Sequence, residues 1–137
     1  MKISHKSMII NSKLLSELTE KAIISPRLRM NMDLRNSPED KSQRMLNAIE
    51  PGSDVPIHRH RNTSETMVVL RGSLVEEYYD DERNCIASYE MSALGPIMAL
   101  NIPAGIWHTL RALESGTVIL EMKDGAYEPI RDCDVLK

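Results

Sequence analysis

From Gln43 onward the chain is a succession of short apolar segments, "QRMLNAIE", "ETMVVLRG", "SLVEEYY", "CIASYEM", "IMALNIP", "HTLRAL" and "TVILEMK". Between them stand turn-forming stretches such as "PGSD", "DDERN", "ESG" and "DG". Segments this short cannot complete stable helices, whereas β-rich runs bounded by Gly, Pro, Asn and Asp form strands joined by tight turns. The spacing therefore predicts a mainly β fold, an antiparallel sandwich or closed barrel.

The segment ahead of the strands has a different period. "NSKLLSELTEKAII" places Leu14, Leu15, Leu18, Ala22 and Ile23 at helical spacing, with Asn11 or Ser12 as N-cap and Pro26 as the downstream limit. One short amphipathic α-helix is expected. "PRLRMNMDLRNSPEDKS" then reads as an extended segment followed by a loop. Residues 1–42 are thus expected to form a helix and extended arm, 43–130 the β-barrel and 131–137 a C-terminal tail, all within one structural domain. A chain of 137 residues has the length of one such domain.

Composition narrows the function classes. The formal charge of -3 and the absence of a long basic run supply no field for nucleic-acid phosphates. No apolar run reaches the roughly 20 residues that span a bilayer, and the first residues lack the h-region and cleavage site of a signal peptide. A cytoplasmic protein with neither nucleic acid nor membrane as partner is expected. Cys85 and Cys133 form no CxxC pair and read as isolated thiols.

Three of the four histidines fall in the β region: His58, His60 and His108. On a strand, residues i and i+2 project from one face, so His58 and His60 point together. Glu65 follows the short polar turn "RNTS" and opens the next strand, where its side chain can return to the same place. His108 is delivered by "IPAGIWH", with Pro103 and Gly105 forming a turn. Paired histidines on an exposed strand are common, and the pair alone does not separate that reading from a metal site. Three imidazoles and a carboxylate together suit one divalent transition metal ion, Zn, Fe, Mn, Ni or Co. His5, near the terminus, is not assigned to the site.

The wider spacing carries a resemblance. Gly52, His58, His60, Glu65 and Gly72 stand in the order G(X)5HXH(X)4E(X)6G, which resembles the first cupin motif at every specified position. Pro103, Gly105 and His108 resemble the second from its proline onward; Gly95 stands two residues earlier than that motif's glycine, and Ala112 replaces its usual Asn. The resemblance implies a cupin double-stranded β-helix, or jelly-roll barrel, and a metal held by His58, His60, Glu65 and His108. More narrowly, "SPRLRMNMDL", "QRMLNAIEPGSDVPIHRH", "NIPAGIWHT" and "EMKDGAYEP" resemble the WbuC family of cupin-fold metalloproteins. That resemblance implies a setting in bacterial surface-polysaccharide (O-antigen) biosynthesis and a homodimer. Arg35, Ser64 and Ala126 depart from the His, Trp and Pro frequent at those places in the family.

Further candidates line up by side. Arg27, Arg29 and Asn31 alternate along an extended segment and can share one face toward an anionic or hydroxyl-rich ligand, arginine's planar fork suiting carboxylate and phosphate. Solvation or structural ion pairing is the competing assignment. Lys123 shares a face with Glu121 on the last strand, either at the barrel mouth or as an outward ion pair. Gln43 and Tyr127 complete the substrate-binding candidates. Trp107 is expected to brace its turn or an intersubunit surface. No general base is evident among these residues.

Two functions remain open on these residues. One is a metal-dependent cupin that acts on or binds a sugar, a sugar nucleotide or a similar carbohydrate-like or anionic small molecule. The other is a non-catalytic module in which the metal site holds or senses a small ligand. A purely structural ion is a third reading, since one barrel hosts many functions.

Overall fold

The computed structural model describes residues 6–137; His5 lies outside them. Helix α1, Ser12–Ile24, is capped by Asn11, whose Oδ1 accepts from the Leu14 N–H at 3.0 Å. This satisfies one of the first-turn donors that a helix leaves without an internal partner. Its buried side chains are Leu15, Leu18, Thr19 and Ala22, so the helical period seen in the sequence is realised, while Ile23 at its margin remains 49% exposed.

Eight strands follow: β1 Arg29–Asp33, β2 Ser42–Ile49, β3 Glu65–Arg71, β4 Ser73–Tyr79, β5 Cys85–Ser92, β6 Ala99–Ile102, β7 Trp107–Ala112 and β8 Thr117–Asp124. They make a five-stranded sheet in the order β1-β2-β8-β3-β6 and a three-stranded sheet in the order β5-β4-β7. Every pairing is antiparallel. The expected jelly roll is formed, and the extended segment after the helix is an integral strand: β1 pairs with β2 from Arg29↔Ile49 to Asp33↔Met45.

Two cores result from the alternation of side chains along the strands. Between the sheets pack Ile49, Met67, Val69, Leu74, Met91, Ile102, Leu110 and Ile119. Outside the larger sheet, α1 lays Leu15, Leu18 and Ala22 on Leu46, Ala48 and Val118. Burying each leucine there contributes about 1.5–3 kcal/mol. Strand β2 is consequently buried on both faces, with Leu46 and Ala48 toward the helix and Asn47 and Ile49 toward the interior. Arg71 fastens the helix from the barrel side, donating to Ser16 Oγ, Thr19 Oγ1 and the Gly116 carbonyl.

Gly72, which turns the chain from β3 into β4, has φ +85° and lies against β8. A Cβ at this position would approach the Thr117 Cα to 2.7 Å, a backbone clash that no rotamer relieves. Gly105 also has a left-handed φ, +84°, but nothing lies within 4 Å of its Cβ direction. Gly72→Ala is therefore expected to cost about 3 kcal/mol and Gly105→Ala only about 1 kcal/mol. Urea unfolding of the two variants checks this; equal midpoints would mean that the β3–β4 turn relaxes freely.

Candidate metal centre and cavity

The stretch containing His58 and His60 is not a ladder strand. It is held by one isolated bridge to each side, His58↔His108 and His58↔Val135. The His58 N–H donates to the His108 carbonyl at 3.0 Å, and the His108 N–H donates back to the His58 carbonyl at 2.8 Å. The Gly105 N–H donates to the His60 carbonyl at 2.8 Å, so the Pro103–Gly105 turn grips the second histidine as well. Two remote segments are thereby locked together with their imidazoles on one side.

The ring-nitrogen ligand atoms of His58, His60 and His108 all lie within 4.8 Å of one another. Two of the rings are oriented from behind. His58 Nδ1 is 2.8 Å from the Pro56 carbonyl and His108 Nδ1 is 2.9 Å from the Ile106 carbonyl. A carbonyl only accepts, so each Nδ1 carries the proton and each Nε2 keeps its lone pair for the centre. Glu65 Oε2 lies 3.3 Å from His108 Nε2 and 3.4 Å from His60 Nε2. Burial alone would raise the Glu65 pKa, but the neighbouring His108 and His60 and the Lys123 ammonium outweigh it and hold the carboxyl well below the usual range. Burial, followed by the neighbouring His108, depresses His58 to about 4, leaving a neutral imidazole at pH 7. Three converging imidazoles, two of them oriented by backbone carbonyls, beside an ionised carboxylate are the donor set a divalent transition ion requires, so these residues fit a metal.

The cluster forms part of the wall of a cavity of about 430 Å³ between the sheets. Of the sequence-derived candidates, Arg27, Arg29, Asn31, Lys123 and Tyr127 all line it. Gln43 does not: its Nε2 donates to the Gly125 carbonyl at 2.9 Å and it borders a smaller adjoining cavity of about 160 Å³. Arg29 has a bracing duty too, since its Nη1 donates to Ser53 Oγ and the Asp54 carbonyl, steadying the chain just ahead of His58. Glu121 and Lys123 face inward, in register with Met67 and Glu65 of β3, rather than forming an outward ion pair. Trp107 ties β7 to other segments: its Nε1 donates to Asp81 of the β4–β5 turn at 2.8 Å and its ring carries the Arg59 guanidinium at 4.1 Å.

Two cavity residues escaped the sequence reading. Glu76, 0% exposed, projects from β4 into the interior, and neither carboxyl oxygen has a hydrogen-bond partner. Asn47 Oδ1 is likewise buried and unpaired. The signal for Glu76 was the alternation Leu74, Glu76, Tyr78, which assigns one of two adjacent glutamates to the core face. Desolvation, reinforced by Glu65 and Glu121, pushes Glu76 up to about 9. Glu121 is also raised, by desolvation and by Glu65, with Lys123 acting in the opposite direction.

Residues 10–91 match the sequence model of a family described as Domain of unknown function (DUF6016). The chain belongs to this family. No curated protein sequence matches this DUF6016 chain. Among solved structures it is similar to the capsular polysaccharide assembling protein CapF from Staphylococcus aureus, with 21% identity and a TM-score of 0.66 over 82% of this chain and 32% of CapF. It is similar to KdgF from Halomonas sp. at 18% identity and a TM-score of 0.56, covering 80% of this chain and 87% of KdgF. A recombinant oxalate oxidase in complex with glycolate aligns at 15% identity with a TM-score of 0.63, over 79% of this chain and 56% of the oxidase. The chain thus spans about a third of the length of CapF. These likenesses establish the cupin fold of the DUF6016 chain.

Glu76 generates a stability prediction of definite sign. A carboxyl raised from 4.5 to about 9 by folding binds its proton more tightly in the native state, so its contribution is complete below pH 4.5 and is lost as pH rises toward 9. Glu76→Gln lacks this loss. Relative to wild type, the variant is expected to gain stability between pH 5 and 9, on the order of 1 kcal/mol per pH unit. Denaturant titrations of the metal-free proteins across that range measure the difference, and parallel stability curves would contradict it.

Proposed function

We propose that this DUF6016 protein is a metal-dependent cupin that binds and acts on a sugar, sugar nucleotide or similar carbohydrate-like or anionic molecule. The carrying observation is the convergence of His58, His60, His108 and Glu65 on the wall of a 430 Å³ cavity, a volume suited to a small molecule. In this reading those four side chains hold one divalent transition ion, Zn, Fe, Mn, Ni or Co. When bound, such an ion acts as a Lewis acid on a substrate oxygen or lowers the pKa of coordinated water. Arg27, at the exposed rim, and Arg29, deeper in, attract and orient an anionic portion of the ligand, with Lys123, Asn31 and Tyr127 beside it. Glu76 and Glu121 supply the proton-exchanging groups that the sequence reading lacked; a carboxyl of raised pKa is suited to donate or accept a proton near neutrality.

The setting we assign is bacterial surface-polysaccharide (O-antigen) biosynthesis in the cytoplasm. Support comes from the WbuC-like segments and from the similarity to CapF, itself a capsular polysaccharide assembling protein. None of the described helices is long and apolar enough to cross a membrane. We also assign a homodimer. Met8, Ile9, Ile23 and Ile24 are 49–83% exposed around α1, and β1 is an open edge of the larger sheet, a combination a second copy can cover. Light scattering at micromolar concentration is expected to return twice the 15.5 kDa chain mass; a monomer would remove the dimer from this reading.

Elemental analysis of protein purified without chelator tests the centre. Near-stoichiometric transition metal is expected in the wild type, with at least a tenfold loss in His58→Ala and His108→Ala. Full metal content in both variants would place the ion elsewhere.

A further inference from the structure

Between the sheets, the cavity wall bears acceptors that the protein itself leaves unsatisfied. The buried side-chain polar atoms without a hydrogen-bond partner among the described residues are Asn47 Oδ1 and both carboxyl oxygens of Glu76. They sit on opposite sheets, Asn47 on β2 and Glu76 on β4, yet line the same cavity. Glu121, from β8, lies between the strands that carry Asn47 and Glu65 and lines it too. Leaving a buried polar group unpaired costs about 1–3 kcal/mol, and a side chain 0% exposed cannot recover that from bulk water. Such groups are retained where something else supplies the partner.

We propose that Glu76, Asn47 and Glu121 form a recognition subsite for the hydroxyl groups of a polyhydroxylated acid. The proposal rests on the cavity being the ligand site, and it specifies the ligand's chemistry. Hydroxyls both donate and accept, which suits the acceptor of Asn47 and the mixed donor and acceptor character of a neutral carboxyl at Glu76. The acid function follows from the opposite charge on other parts of the wall. Arg27, Arg29 and Lys123 line the cavity, and none makes a side-chain ion pair within 4.0 Å among the described residues. One ligand that places its anionic group among these cations and turns its hydroxyls to the three acceptors satisfies both sets. A plain fatty acid of similar length satisfies only the first. Sites built to hydrogen-bond a hydroxyl reject analogues that lack it because their own buried groups are then left unpaired.

Calorimetric titration of the Zn(II)-loaded protein provides the test, with D-glucuronate, D-galacturonate, D-mannuronate and D-gluconate as polyhydroxylated acids and hexanoate as the bare one. At least one polyhydroxylated acid is expected to bind ten times or more tighter than hexanoate. Glu76→Leu should reduce that preference at least tenfold, while Glu76→Gln, which still donates and accepts, should keep most of it. Thermal melts and zinc stoichiometry of both variants should match or exceed the wild type, because Leu replaces an unpaired buried carboxyl. If Glu76→Leu fails to fold, the same comparison is made with Glu121→Gln and Asn47→Leu, each expected to weaken the preference. The proposal is overturned if zinc binds stoichiometrically but hexanoate matches every polyhydroxylated acid, if none of them binds, or if all folded variants keep the wild-type preference. Failure of zinc to bind at His58, His60 and His108 would instead strike the metal reading, and the preference measured on the zinc-free protein would then decide the subsite.

Discussion

The candidate site depends on a pair of backbone hydrogen bonds exchanged between His58 and His108. They join a segment that belongs to no sheet to β7, the edge of the smaller sheet, and they bring together side chains fifty residues apart in the chain. The same two residues spend their Nδ1 atoms on local carbonyls, so backbone pairing sets the spacing and ring bonding sets the direction of the lone pairs. Neither arrangement requires an ion. The fold itself therefore orients the His58 and His108 imidazoles, which would keep their ordering entropy out of a ligand-binding step.

Around that centre the barrel interior divides by chemistry. Apolar side chains such as Leu74, Met91 and Ile119 fill one part of the space between the sheets, whereas the cavity gathers three imidazoles, three carboxyls and three cationic side chains. Burying the carboxyls of Glu65 and Glu76 and the His108 imidazole among them opposes folding, since each loses hydration. The helix-covered outer face supplies a compensating contribution: its apolar contacts are independent of the cavity, so the inside of the barrel is free to be polar.

Much of this was legible from residue spacing, and the reason is local. The glycine-to-glycine frame around His58, His60 and Glu65 encodes a turn, a short exposed segment and a strand start, each defined within about seven residues. What could not be read was whatever needed strand register. Glu76 enters the site because β4 lies opposite β8 across the barrel, and no feature of "SLVEEYY" specifies that neighbour. The place of Gln43 also depends on register: near the beginning of β2 it borders the smaller adjoining cavity and reaches the Gly125 carbonyl. The arm strand β1 carried too weak an apolar alternation to be recognised as part of the barrel, although its pairing with β2 is what presents Arg29 and Asn31 to the cavity.

The last residues have a consequence for how the site comes into being. Val135 bridges His58, the Leu136 N–H donates to the Ile57 carbonyl, and Asp134 accepts from the guanidinium groups of both Arg59 and Arg61. The Arg59–Asp134 contact closes a loop of 75 residues. Closure entropy grows only logarithmically, so doubling such a loop would add about 0.6 kcal/mol. Its absolute cost, however, must be met before the histidine segment gains its outer support. Asp80–Asn84 lies within that loop, so extra residues in this outlying turn would burden the closure of the histidine wall little.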